Sequence, residues 1–169
     1  DPYCDEVQNQ PYIIISRMVE TEEVIREARL NGATIETLRI IEESGYDGVL
    51  MVTPYYNKTT QRGLIEHFTY VADRIHVPMI LYNVPSRTGS CISVEIVEEL
   101  SRHPNIRGIK EASGDIGYAA KIARCINSGF DMFSGNDDIT IPLMSLGAAG
   151  AVSVWANIMP KEVRQMIHA

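Results

Sequence analysis

Ile106-Arg107-Gly108-Ile109-Lys110-Glu111-Ala112-Ser113-Gly114 is a short apolar run, Ile106 to Ile109, that closes on a lysine and passes at once into a turn. Runs that are apolar at successive positions fit strands buried on both faces. A lysine at the C-terminal end of such a strand is hard to keep charged, because desolvation favours the neutral amine and lowers its pKa. A neutral amine at the mouth of a parallel sheet can attack a carbonyl carbon and form a Schiff base. Taken alone, Lys110 also reads as a surface lysine finishing a strand, so the surrounding chain has to decide.

Working outward, the same pattern recurs. Asp47 to Thr53, Val77 to Asn83, Phe130 to Ser134 and Gly150 to Val154 are further apolar runs. Helical stretches lie between them. One starts near Thr60 and carries Leu64, Phe68, Val71 and Ile75 as an apolar stripe. Ser93 reads as the N-cap of a helix over Val94 to Ser101, with Ile96, Val97 and Leu100 facing inward. Helices are also expected over 115–127, 137–146 and 160–168. Strand starts recur at about 20–30 residues, each strand followed by a helix, which is the βαβ rhythm of a parallel sheet. Five such units are clear. Polar residues gather just after the strands, at Thr53-Pro54-Tyr55-Tyr56-Asn57, Tyr82-Asn83, Lys110-Glu111 and Ser134-Gly135-Asn136-Asp137-Asp138. That C-terminal edge is where α/β proteins build their sites.

Residues 1–44 break the rhythm. Tyr12 to Ser16 reads as a strand and Glu20 to Leu30 and Thr34 to Ser44 as helices, with only Asn31-Gly32-Ala33 between the two. The 169 residues carry a net charge of −7 and are 45% hydrophobic, which suits one globular domain. The acidic balance argues against non-specific nucleic-acid binding. No apolar run reaches the roughly 18–20 residues of a membrane span, and the N-terminus has no signal-peptide pattern. Cys4, Cys91 and Cys125 are too scattered for a disulfide framework or a zinc pair, so a cytoplasmic setting is expected. The four histidines show no metal-ligand spacing, and no metal is expected. Gly147-Ala148-Ala149-Gly150 reads as a helix-to-strand turn, and the acidic Asn136-Asp137-Asp138 as the start of the next helix.

Tyr82 ends one buried run and Lys110 ends the next. Parallel neighbours in register would bring phenol and amine to one mouth, where a tyrosine can relay protons. Asn83-Val84-Pro85-Ser86-Arg87-Thr88-Gly89 follows. It is turn chemistry by composition, and its arginine can reach over the mouth to hold a carboxylate bidentately.

Thr53-Pro54-Tyr55-Tyr56-Asn57-Lys58, Tyr82 to Gly89, Ile109 to Gly114 and Ser134 to Asp138, in this order and spacing, resemble the dihydrodipicolinate synthase family of the pyruvate-dependent class I aldolases. The resemblance runs over about 45–169, with 1–44 divergent, and implies a (β/α)8 TIM-barrel type of α/β fold in one domain over 1–169. Lys110 would form the Schiff base with pyruvate, so no dissociable cofactor is expected. Tyr82 would relay protons, and Tyr56 would complete the relay across a subunit interface, which implies a homo-oligomer, dimer or tetramer. Arg87 would hold the carboxylate of aspartate semialdehyde. Gly135 and Val152 would line the pyruvate pocket through their backbones. The implied reaction serves lysine and diaminopimelate biosynthesis.

A full barrel of this type needs about 250 residues. The sequence therefore reads as an incomplete barrel. Ile15-Ser16-Arg17-Met18 stands where the family's hydroxyl-bearing loop is expected, and the third strand is skipped. Weak or no activity of this chain by itself is the corresponding expectation. Two alternatives stand beside the synthase. One is another pyruvate aldolase, such as a 2-keto-3-deoxy sugar acid aldolase or N-acetylneuraminate lyase. The other is a non-catalytic partner that pairs with a full-length subunit through Tyr55 and Tyr56.

Overall fold

The computed structural model describes residues 43, 45–56 and 58–168. The strand and helices read over 1–44 lie outside the described residues, except that Glu43 is helical, and so does Asn57.

Among the described residues the apolar runs become strands β1 (Val49–Val52), β2 (Met79–Asn83), β3 (Ile106–Glu111), β4 (Asp131–Ser134) and β5 (Gly150–Ala151). They form one parallel sheet in sequence order, β1-β2-β3-β4-β5. Parallel neighbours require crossovers, and helices supply them. Helix α1 (Gln61–Ala72) follows β1. It starts at Thr60, whose hydroxyl accepts the Gly63 amide at 3.2 Å. After β2 come α2 (Pro85–Thr88) and α3 (Val94–Leu100), after β3 comes α4 (Ile116–Ile122), and after β4 comes α5 (Thr140–Ser145). Helix α6 (Pro160–His168) follows β5. Asp115 begins α4 by accepting the Tyr118 amide at 3.0 Å.

The core is a layer between one face of the sheet and the helices. Met51, Met79, Leu81, Ile109 and Met132 meet Leu64, Phe68, Val97, Leu100, Ala119 and Ile122, all of them buried. Ile96, Val97 and Leu100 are the buried residues of α3, as their spacing requires.

Two elements differ from the sequence reading, and a third agrees with it but has an added contact. The Pro85–Thr88 stretch is a one-turn helix, not a plain turn: Pro85 presets its first residue, and Gly89 ends it in the left-handed region with φ 61°. The run Gly150 to Val154 contributes only two residues to β5. The Asp137 carboxylate accepts the amides of Val154 (3.1 Å) and Trp155 (3.2 Å), and the chain turns there into a 3-10 turn over Trp155–Asn157. The acidic cluster after β4 does open the next helical segment, through a 3-10 turn at Asp137–Ile139, and Asp137 also accepts the two amides of the later turn.

Candidate active site

The register of β2 and β3 makes the site. Met79 pairs with Ile106, but Ile80 pairs with Gly108, so an irregularity absorbs Arg107. A bulge of this kind shifts every later pair by one residue. Tyr82 consequently lies opposite Lys110; regular pairing from Met79 would have set it opposite Ile109. Val52 is aligned with Tyr82, and Lys110 with Phe133, so one row of side chains crosses four strands at the C-terminal edge. In this row the Lys110 ammonium nitrogen sits 4.0 Å from the centre of the Tyr82 ring. Burial lowers the Lys110 pKa from its ordinary value of 10.5, which raises the fraction of neutral, nucleophilic amine.

Gly135 closes on the lysine from β4. Its amide donates to the Glu111 carbonyl at 2.7 Å. A Cβ there would stand 2.6 Å from the Ala112 Cβ and 3.1 Å from Lys110 Cε, so glycine is what lets backbone approach the amine. Val152 is bound to the next strand end, its amide donating to the Ser134 carbonyl at 2.7 Å. Arg87 is exposed in α2, five residues beyond Tyr82 on the segment leaving β2. Tyr56 lies in a bend after β1 and is 86% exposed. Thus Lys110, Tyr82 and Gly135 are brought together, Val152 sits one strand further on, and Arg87 and Tyr56 are held on surface segments above the same edge. Among the described residues no three His, Cys, Asp or Glu side chains are grouped as metal ligands.

Sequence reasoning assigned no role to a second polar row, one position further along and on the opposite face. Asn83, Glu111 and Ser134 are aligned across β2, β3 and β4, and none is more than 1% exposed. The Glu111 carboxylate accepts from Asn83 Nδ2 at 2.7 Å and from the Ser113 amide at 2.6 Å. Burial pushes its pKa up, against the pull of those two donors. The visible signal was an acid directly beside the lysine at the end of an otherwise mostly apolar strand.

The model of the dihydrodipicolinate synthetase family matches residues 32–169. The chain belongs to that family. It is 49% identical over 136 residues to the 4-hydroxy-tetrahydrodipicolinate synthase of a Thermoanaerobacter strain, covering 80% of this chain and 46% of that protein. The synthase of Geobacter sulfurreducens is 45% identical over 167 residues, covering 98% of this chain and 58% of that one. The crystal structure of dihydrodipicolinate synthase from Aquifex aeolicus superposes with a TM-score of 0.76 at 43% identity, over 80% of this chain and 46% of that one. The chain therefore spans about half the length of the synthases it resembles. Its parallel α/β architecture is that of the family's TIM barrel, of which the described residues form a part. The family match begins at residue 32, ahead of position 45 from which the sequence resemblance runs.

Proposed function

We propose that this chain carries the Schiff-base portion of a 4-hydroxy-tetrahydrodipicolinate synthase site, a lyase that condenses pyruvate with aspartate semialdehyde in lysine and diaminopimelate biosynthesis. The observation that carries this is the Lys110–Tyr82 pair: a desolvated amine against a phenol ring at the C-terminal edge of a parallel sheet. The neutral Lys110 nitrogen attacks the keto carbon of pyruvate. Tyr82, completed by Tyr56, moves one amine proton to the former keto oxygen, giving a carbinolamine, and delivers a second proton drawn from solvent, so that this oxygen leaves as water. The resulting iminium draws electrons from the pyruvate methyl group, which loses a proton and attacks the aldehyde carbon of the semialdehyde. The aldehyde oxygen takes up a proton. The semialdehyde's own amine then displaces Lys110 from the iminium carbon and closes the ring, returning the free lysine. No dissociable cofactor is needed, because the iminium formed on Lys110 is the electron sink.

Arg87 suits the carboxylate of the second substrate, since an exposed guanidinium on a short helix capped by Gly89 can offer a bidentate fork. The backbones of Gly135 and Val152 would line the pyruvate pocket. The exposure of Tyr56 suits a relay residue presented to a neighbouring subunit, and hence a homo-oligomer. Free thiols at Cys91 and Cys125 suit a cytoplasmic setting.

Incubation with pyruvate followed by borohydride tests the reading. A gain of about 72 Da, the mass of reduced pyruvyl-lysine, is expected on Lys110 and nowhere else; an unmodified Lys110 sinks it. Replacing Arg87 by Ala should leave pyruvate trapping intact while abolishing use of the semialdehyde. Continued use of that substrate would favour a different pyruvate aldolase.

A further inference from the structure

The polar row behind the reactive row contains a complete set of donors and acceptors. Asn83 Oδ1 accepts the amide of Ile92 at 3.1 Å, which fixes its Nδ2 toward Glu111. Glu111 in turn accepts the Ser113 amide, at the turn that leads to α4. Tyr118, on α4, donates to the Ile92 carbonyl at 2.6 Å. Ser134 closes the row by donating to the Asn136 carbonyl at 2.8 Å. The segment from Asn83 to Ile92, which bears Arg87, is thereby tied to the turn that follows Lys110. Glu111 is where the two ties meet.

We infer that Glu111 is a positioning residue for the lysine site: its buried carboxylate, accepting on both oxygens, locks the Arg87-bearing loop and the Lys110 strand end into one geometry. The inference rests on the Schiff-base reading of Lys110. The physical reason is that successive residues of a strand point to opposite faces. Fixing Glu111 on the helix side fixes the direction in which Lys110 leaves the other side. The Glu111 carbonyl also receives the Gly135 amide, so the strand end is held from both neighbours. A carboxylate is required because both partners are donors; an amide at 111 would set its own NH2 against one of them.

Chemistry of this kind can be inverted. Glu111→Gln alone places a donor against either Asn83 Nδ2 or the Ser113 amide, and Asn83→Asp alone places two carboxylates together. The double variant Glu111→Gln/Asn83→Asp restores the bond between the two positions with reversed polarity. Its introduced amide donates to the introduced carboxylate, which still accepts from Ile92. Each form is compared by thermal melting, by pyruvate–borohydride trapping at Lys110, and by acetic anhydride labelling of Lys110 relative to the exposed Lys161. In folded single variants trapping should slow about tenfold or more, the scale on which misplaced reacting groups lose rate. Their relative labelling should shift severalfold, and the double variant should return close to native values in both. Native-like trapping and labelling in the single variants overturns the inference, as does a folded double variant no better than they are. If the single variants do not fold, Tyr118→Phe loosens the same loop while leaving the carboxylate. An effect in the same direction is expected of it, and an unchanged Lys110 overturns the inference. A native chain that forms no pyruvate adduct sinks the Schiff-base reading instead, and the labelling ratio then decides on positioning by itself.

Discussion

On one face of the sheet Met51, Met79, Leu81, Ile109 and Met132 are sealed under the helices, while on the other Leu50, Val52, Ile80, Tyr82 and Lys110 keep part of their surface. The contrast is sharpest at two adjacent residues. Lys110 and Glu111 are both desolvated, and desolvation moves their pKa values in opposite senses, down for the amine and up for the acid. Glu111 lies on the helix side, where two donors occupy its oxygens. Lys110 lies on the open side, where an aromatic face takes the place of a counter-ion among the described residues. Burial with partners makes a structural knot; burial without an opposite charge makes a nucleophile.

The strongest way to break the comparison is Lys110→Met. Pyruvate trapping should vanish completely, while the chain gains roughly 1 kcal/mol at neutral pH, as is common when a group held for activity is removed. The sign follows from the lowered pKa. The native chain's disadvantage is absent above the ordinary lysine value of 10.5 and develops as pH falls toward the folded-state value. Melting curves of both forms from neutral pH upward should therefore converge near the top of that range. A constant gap, or a less stable variant, would show that Lys110 is not held at a cost to the fold.

Next in size is the asymmetry of the two faces. Leu81→Ala, at a fully buried position, should destabilise by about 3 kcal/mol, and Val52→Ala on the open face by only about 1 kcal/mol; chemical denaturation reads both. Equal losses would mean that the open face is as tightly packed as the core. A smaller effect is expected of Gly135→Ala. The added methyl group must push on Ala112 or Lys110 Cε, so trapping should slow about tenfold with a loss of roughly 1 kcal/mol in stability. Normal trapping would show that the glycine does not shape the lysine's position. The smallest effect concerns the helix-side face at the end of β1. The Thr53 hydroxyl is fully buried without a hydrogen-bond partner among the described residues. Thr53→Val should therefore stabilise the chain by about 1 kcal/mol, and destabilisation would reveal a partner for that oxygen.

Much of this architecture was legible in the chain. Apolar runs of strand length alternating with period-3.6 segments announced parallel βα units, although burial on both faces, expected from those runs, is not what the described residues show: their strands are sealed on the helix face and partly exposed on the other. Strand lengths were less legible. Nothing within Gly150 to Val154 signals that the strand will be only two residues long or that a carboxylate from Asp137 will hold a turn at Val154 and Trp155. Of the candidate residues, Lys110, Tyr82 and Arg87 stood out because their chemistry is unusual where it occurs. Glu111 and Asn83 passed without a role because their function is mutual: neither is informative until the other is seen 2.7 Å away.

By itself the sequence determined that Tyr82 and Lys110 would end consecutive buried strands and that polar residues would collect at one edge, since hydrophobic pattern and turn chemistry are local properties. Only the tertiary structure decided that the two side chains meet. That depends on strand register, and one residue absorbed at Arg107 moves Tyr82 from Ile109 to Lys110. Because side chains alternate with period two, the same single step also decides which face receives the amine and which the carboxylate.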